Sequence, residues 1–224
     1  MNMIFKIAKT ELQTLFYSPV AWLILIVFTF QASILFTGTF GMSVRSQALE
    51  YEVGNLTLFT FGGDYGLFTH IQQYLYLYIP LLTMGLMSRE LSSGSIKLLY
   101  SSPVTNKEIV LGKYFAMLIY GLVLIGILAI YVLYSACTIK AFDFTVALSG
   151  LLGLYLLICA YASIGLFMSS LTSYQVVSAM GTLAILAALS LVRGMWQDIE
   201  FVRDITYWLS INGRADEFVN GLIC

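Results

Sequence analysis

Charge is scarce in this sequence of 224 residues. Asp, Glu, Lys and Arg together make up only 10% of it, whereas 59% of the residues are hydrophobic and the mean hydropathy is +0.88. A soluble domain usually has about 25% charged residues. The chain therefore has too few charges to cover a surface that faces water on all sides, and its composition predicts an integral membrane protein. The net charge of −1 gives no indication of a nucleic-acid partner.

The sequence also lacks a cysteine framework and a phosphate-binding loop. Its three cysteines are far apart and lie in apolar stretches or at the last position, which is not the spacing of a disulfide framework or a metal site. A P-loop needs Gly-x-x-x-x-Gly-Lys followed by Ser or Thr. Gly112-Lys113 is followed instead by Tyr114, and Lys107 stands in the place of the first glycine. We therefore expect a chain without catalytic residues, a metal site or a bound cofactor.

Five stretches without Asp, Glu, Lys or Arg are long enough to cross a bilayer, which takes about 20 residues. Each such charge at mid-membrane would cost about 2.5–3.5 kcal/mol, so charge-free runs favour membrane spans. We expect an all-α membrane protein of one domain, with spans at about 20–36, 67–87, 114–136, 146–168 and 176–192. The segment from Gly38 to Gly66 is expected to be an external loop with little regular structure, and residues 193–224 an extracytoplasmic tail.

Basic residues near the ends of these stretches predict the orientation. Lys6 and Lys9 precede the first span, and the segment 89–113 between the second and third spans holds four more basic residues. The loops on the opposite side hold only Arg45 and Lys140. Because basic residues favour the cytoplasmic side, we expect the N-terminus and the segment 89–113 to be cytoplasmic.

Residues 3–17 have the pattern of a helix that lies in the membrane surface. Apolar residues recur at steps of three and four, while the two lysines and the neighbouring polar residues fall on other faces. Ser18-Pro19 then predicts a turn into the first span, because serine is a good N-cap and proline is tolerated at the first helical position.

The polar segment after the second span predicts two helices separated by a proline. In an amphipathic helix over 89–102, one face would hold Leu91, Ser95, Leu98 and Leu99. Gly94 weakens this helix by about 1 kcal/mol relative to alanine, and Pro103 ends it. Thr105 and Glu108 then form the pattern of a capping box, which predicts a new helix running into the third span. The first helix either rests on lipid headgroups or docks a cytoplasmic partner, and the pattern alone does not decide between them.

The second span has a polar and aromatic side. The residues that share it are His70, Gln73, Tyr74, Leu77 and Tyr78. They are candidates for a substrate path or a dimer contact. Nearness to the membrane boundary is the other explanation, since tyrosine is enriched there and glutamine can bond neighbouring helices.

The polar segment resembles the signature of the ABC-2 type permeases, the membrane subunits of one class of ATP-binding-cassette transporters. The matching residues are Glu90, Gly94-Ser95, Leu98-Leu99, Pro103-Val104 and Ile109-Val110-Leu111-Gly112-Lys113. The family usually has threonine in place of Ser95. The stretches 80–84 and 16–21 also match the branch that includes the permease associated with bacterial gliding motility.

The resemblance implies a role for each part of the chain. Residues 3–17 would be an elbow helix and 89–102 a coupling helix that docks on a separate or fused P-loop ATPase, which holds ATP and Mg. The implied coupling residues are Arg89, Glu90, Gly94, Ser95, Leu98, Leu99, Pro103, Thr105 and Glu108. A second permease, membrane lipids and a location in the bacterial inner membrane are also implied. Family members have six spans, so we expect the natural chain to continue beyond the five predicted here.

Two functions remain open at this point. One is the permease subunit of an ABC exporter of unknown substrate, and the other is a membrane scaffold that anchors an envelope machine without transport. A secondary transporter or an intramembrane enzyme is a poor alternative. Such proteins usually place ionisable residues inside their spans, and the predicted spans contain none except His70.

Overall fold

The computed structural model describes residues 3–48, 55–63, 65–97, 104–139, 142–192 and 218. Within these residues the chain is all-α, with no strand. The helices are α1 (Met3–Tyr17), α2 (Pro19–Ala48), α3 (Leu56–Phe61), α4 (Leu67–Thr83), α5 (Ser88–Ser93), α6 (Asn106–Thr138), α7 (Phe144–Leu171) and α8 (Gln175–Val192). The predicted tail 193–224 lies outside the described residues except for Phe218.

Three of the described helices are long and apolar enough to cross a membrane. They are α2, α6 and α7, with mean hydropathies of 2.2, 2.6 and 2.1 over their most apolar windows. Helices α4 and α8 stand where the second and fifth spans are predicted, and they are also apolar but have 17 and 18 residues. Since a full crossing takes about 20 residues with a range of about 17–25, the count of five spans stays a prediction.

Helix α2 is much longer than the span predicted at 20–36. It has 30 residues, which corresponds to about 45 Å. The expectation of an irregular loop from Gly38 is therefore wrong for residues up to Ala48 and again for α3. The hydroxyls of Thr39 and Ser43 bond to backbone carbonyls one turn earlier, so these polar side chains are satisfied inside the helix.

The predicted coupling helix is interrupted at Gly94. Helix α5 has only six residues and ends at Ser93, because Gly94 adopts a left-handed conformation with φ of 71°. Glycine has no Cβ to oppose this conformation and commonly ends helices in this way. A continuous helix over 89–102 is therefore wrong, although residues 96 and 97 are again helical. The remainder, from position 98 to 103, lies outside the described residues.

The chain divides into two compact units. The first unit consists of Met1–Leu25, Tyr76–Leu122 and Ile158–Ala188. The second consists of Ile26–Leu75 and Val123–Leu157, together with the residues after position 188. The first unit contains α1 and α5, and its core includes the fully buried residues Ala116, Met117, Tyr120 and Ala162.

The second unit is organised around aromatic rings and hydrogen bonds. Phe36 lies with its ring centroid 4.9 Å from that of Tyr131, and the rings of Phe61 and Phe68 are 5.0 Å apart. Asn55 caps α3 by accepting hydrogen bonds from the amides of Thr57 and Leu58 and donates one to Asp143. These contacts explain why α3, only six residues long, is ordered.

Candidate functional site

A buried lysine in the first unit joins three helices. The Lys113 ammonium, at the start of α6, is only 1% exposed and donates hydrogen bonds to the Oε1 atoms of two carboxylates. One belongs to Glu90 of α5, at 2.7 Å, and the other to Glu11 of α1. Glu11 is 102 positions and Glu90 is 23 positions away from Lys113 in the sequence. We treat these three residues as one site and call it the Lys113 cluster.

The buried charge of the Lys113 cluster requires that its partners stay within hydrogen-bonding distance. An ammonium that is removed from water is tolerated only when it is paired and hydrogen-bonded. The two carboxylate side chains are 18% and 22% exposed, so water still reaches part of them. The Glu90 Oε2 atom is buried, and the described residues offer it no hydrogen-bond partner. With two carboxylates and one ammonium, the cluster carries a formal charge of −1.

The residue before the lysine lets α1 come close to α6. A Cβ placed on Gly112 would lie 2.6 Å from the Cγ2 atom of Ile7 and 3.2 Å from the carbonyl oxygen of Ile4. Glycine is therefore required for the close approach of the two helices, and the adjacent lysine uses that approach to reach Glu11. The Gly-Lys pair, noted in the sequence as part of a signature, thus has a structural reason.

Helix α5 receives its N-terminal cap from α7. Met87 at its own N-cap position makes no side-chain capping bond. The hydroxyl oxygen of Ser169 instead accepts hydrogen bonds from the Met87 and Ser88 amides, at 2.9 and 3.1 Å. The same hydroxyl donates to the Met84 carbonyl at 3.0 Å. Because the first amides of a helix have no partner within it, this contact fixes where α5 begins.

The capping box at the start of α6 is confirmed. The Thr105 amide donates to Glu108 Oε2 at 2.9 Å, and the Glu108 amide donates to Thr105 Oγ1 at 3.4 Å. This reciprocal pair satisfies two of the free donors at a helix start. Helix α6 then runs unbroken for 33 residues, from the Lys113 cluster through the third predicted span.

The other predicted coupling residues are placed differently. Arg89 is exposed, unlike its neighbour Glu90. Gly94 ends α5, and the hydroxyl of Ser95 lies 2.8 Å from that of Ser93. The coupling residues that lie outside the described part are Leu98, Leu99 and Pro103.

The predicted polar face of the second span is not uniform. Gln73 and Tyr74 are exposed, whereas Tyr78 is buried at 5%. His70 is half-buried, and its Nδ1 atom lies 2.9 Å from the Gly66 carbonyl oxygen. The Tyr78 side chain therefore packs inside the chain, and a role of this face in a path or an interface stays a prediction. Gln73 and Tyr74 remain as candidates for a path or an interface.

Sequence reasoning missed three residues of this site: Glu11, Lys113 as a buried partner, and Ser169. One signal was available, since Glu11 is the only acidic residue among positions 3–17. A single acid in a basic arm predicts a specific partner, although sequence cannot say which. Nothing in the sequence marks Ser169 among the other serines of α7.

The geometry of this site lies within a stretch that matches a known family model. Residues 5–199 match the model of the ABC-2 family transporter protein. The chain belongs to this family. No curated protein and no solved structure matched the chain. The resemblance to the gliding-motility branch stays a prediction.

Membership defines the general role of this ABC-2 transporter protein. It is a transport permease, and its apolar helices place it in a membrane. The family generally works with an ABC ATPase. Among the described residues, no group of three His, Cys, Asp or Glu side chains could hold a metal ion. The site that the structure offers is therefore a joint between helices, formed by charge and close packing.

Proposed function

We propose that this chain is the permease subunit of an ABC exporter and that α5 belongs to the segment that docks on a partner ATPase. The Lys113 cluster is the observation that carries this proposal. It connects α5 with α1 and with the first turns of α6. A displacement of α5 would therefore be passed directly to a helix of spanning length.

Helix α5 depends on its neighbours for its structure. Isolated helices shorter than about 12–15 residues are marginal in water, and α5 has six. Ser169 caps the N-terminus of α5, and the contact between Glu90 and Lys113 fixes which face of α5 is turned toward α6. A short element held at two points transmits a push as a unit, whereas a helix resting on lipid would not need such contacts.

The N-terminal end of α6 would take up that motion without bending. The capping box at Thr105 and Glu108 closes its first turn, and the helix continues for 33 residues, or about 50 Å. The exposed residues Ser92, Ser93 and Lys97 follow Glu90 in the chain. We propose that these residues face the ATPase, together with Leu98 and Leu99, which follow them in the sequence.

The chain would work in the bacterial inner membrane with its N-terminus in the cytoplasm. ATP and Mg would be held by the ATPase, since the only Gly-Lys in the sequence does not lie in a P-loop. A second permease would complete the transporter, and Gln73 and Tyr74, exposed on α4, would face the substrate path or that second copy.

The first experiment is co-purification of the full chain from its native membranes in mild detergent, with mass spectrometry of its partners. The wild type is expected to retain a P-loop ATPase. The double variant Leu98→Asp and Leu99→Asp should lose it while remaining in the membrane. Ser170→Asp is the matched control, because it adds a charge at an exposed position near the end of α7.

The outcomes distinguish a permease subunit that docks on an ATPase from a membrane scaffold. Loss of the ATPase from the double variant but not from the control supports docking through this segment. If no ATPase accompanies the wild type under conditions that preserve other membrane complexes, the exporter proposal is wrong and an anchoring role is favoured.

A further inference from the structure

A cavity of about 120 Å³ lies in the first unit, beside the segment that links α4 to α5. A single water needs only about 10–15 Å³ of such space, so the cavity can hold a larger group. Most of its lining is apolar, and its polar side chains are Ser18, Arg89 and Gln175. The apolar lining residues are Leu15, Val20, Ala21, Leu81, Leu82 and Met84, with Gly85 beside them. We refer to it as the Arg89 cavity.

The charge in this cavity meets no counter-charge from the described part of the chain. The Arg89 guanidinium lies over Gly85, where its Nη2 atom is 2.9 Å from the position that a Cβ would take. Among the described residues, the ion pairs are those of the Lys113 cluster, and Arg89 is not part of them. A cation at the edge of an apolar cavity therefore lacks an anion from the described part of the chain.

The neighbouring residue makes this arrangement informative. Glu90 has a buried Oε2 atom with no partner among the described residues, and the Lys113 cluster carries an excess of negative charge. Arg89, directly adjacent in sequence, could reduce that excess if its side chain turned toward Glu90. It lies over the cavity instead. The two adjacent side chains thus lie in different environments: Arg89 over the cavity and Glu90 in the Lys113 cluster.

We propose that the Arg89 cavity binds an anionic phospholipid, with the phosphate at the Arg89 guanidinium and the first acyl methylenes against the apolar lining. Arginine suits this ligand because its planar donors match the oxygens of a phosphate. Ser18 and Gln175 add hydrogen-bonding groups for the headgroup region. The apolar side chains would bury methylene groups, each of which favours binding through the hydrophobic effect.

The position of the cavity in the chain favours a lipid over a free anion. It is lined where α1 passes into α2, where α4 ends and where α8 begins, so its lining includes the ends of three apolar helices. Such ends lie at the level of lipid headgroups, and basic pockets between membrane helices are known to bind anionic headgroups. A free phosphate would gain nothing from the apolar side chains. This inference rests on the membrane location of the chain and not on docking of an ATPase.

The test compares two lipids with the same acyl chains. The full chain is purified in mild detergent, titrated with phosphatidylglycerol or phosphatidylcholine, and examined by native mass spectrometry. The wild type should bind one phosphatidylglycerol about tenfold more tightly than phosphatidylcholine, because both lipids carry the phosphate but the choline cation of phosphatidylcholine would be repelled by the Arg89 guanidinium. Arg89→Gln should remove most of this preference. Lys97→Gln is the matched control, because Lys97 is an exposed cation of the same segment that does not line the cavity.

Two further measurements separate the lipid site from simpler explanations. Leu81→Trp fills the apolar part and should weaken the binding of both lipids while leaving Arg89 in place. Inorganic phosphate at millimolar concentration should not displace the bound phosphatidylglycerol. Equal binding of the two lipids to the wild type, equal losses in Arg89→Gln and Lys97→Gln, no effect of Leu81→Trp, or displacement by phosphate would each overturn the proposal.

Discussion

The two units of the chain use polar groups in different ways. In the first unit, a lysine that is 1% exposed bonds to two carboxylates on other helices. In the described part of the second unit, hydroxyl pairs take this place: the hydroxyls of Ser43 and Thr60 are 2.6 Å apart, and those of Ser33 and Tyr131 are 2.7 Å apart. The Asp143 carboxylate there accepts a hydrogen bond from the neutral side-chain amide of Asn55. Among the described residues, the first unit thus joins its helices with ion pairs, and the second with hydroxyl pairs, aromatic rings and an amide–carboxylate contact.

This difference has a physical consequence. Removing one partner of a buried ion pair leaves an unpaired charge, which costs far more than the pair contributes when intact. A neutral hydroxyl pair can lose one member with little cost, because a hydroxyl can bond to its own helix backbone instead. The charged joint therefore enforces one arrangement of α1, α5 and α6.

Lys113→Met is expected to have the largest effect on stability, and it tests the difference between the two units most directly. The substitution leaves Glu11 and Glu90 facing one another without a cation, and both are partly removed from water. We expect a loss of about 3 kcal/mol in the free energy of unfolding, at the low end for a broken buried pair because both carboxylates keep some exposure. Unfolding of the purified chain by SDS in mixed micelles measures this loss.

Two variants show whether charge is the cause. Lys107→Met removes an exposed lysine of the same helix and should change the stability by less than about 0.5 kcal/mol. Adding Glu11→Gln and Glu90→Gln to Lys113→Met removes the repulsion and should restore much of the loss. An equal loss in the triple variant would mean that packing, and not charge, holds the three helices.

Much of the fold follows from the sequence because its signals are local. Long charge-free runs predict membrane helices from composition alone. The capping box at Thr105 and Glu108 needs only residues three positions apart, and the structure confirms it. Gly94 was recognised as a weak point of a helix, but its left-handed conformation depends on how the following chain leaves α5.

The site itself was harder to predict because its contacts are distant in the chain. Lys113 and Glu11 are separated by 102 positions, and no periodicity relates them. Ser169 caps a helix that begins 81 positions earlier. The loop predicted from Gly38 is a further case: Gly38 and Gly41 lie inside α2, where the hydroxyls of Ser43 and Ser46 bond to backbone carbonyls. Tertiary contacts and backbone bonds decide these cases, and neither leaves a local pattern.

Two glycine substitutions, one in each unit, are expected to change the stability by intermediate amounts. In the first unit, a Cβ on Gly165 would meet the hydroxyl of Thr83 and lie 2.7 Å from its Cβ, which is fixed to the backbone. In the second unit, a Cβ on Gly150 would meet the ring of Phe68, which can tilt about its side-chain bonds. Overpacking usually costs about 1–3 kcal/mol. We expect Gly165→Ala to cost about 2 kcal/mol and Gly150→Ala about 1 kcal/mol.

Gly126→Ala provides the reference for both substitutions. No atom lies within 4 Å of a Cβ at Gly126, so alanine there should stabilise α6 by up to about 1 kcal/mol through its higher helix propensity. The same SDS titration gives all three values. If Gly150→Ala costs more than Gly165→Ala, the aromatic packing of the second unit is more rigid than that of the first.

The smallest effect is expected for Tyr131→Phe in the second unit. The substitution removes the hydroxyl that lies 2.7 Å from Ser33 Oγ and keeps the ring that packs against Phe36. Ser33 also bonds to the Thr29 carbonyl at 2.8 Å, so it is not left without a partner. Hydrogen bonds between membrane helices average about 0.6 kcal/mol, and we expect a loss of that size in the SDS titration. A loss as large as that of Lys113→Met would show that neutral hydroxyl pairs are as demanding here as the buried charge, and the distinction between the two units would not hold.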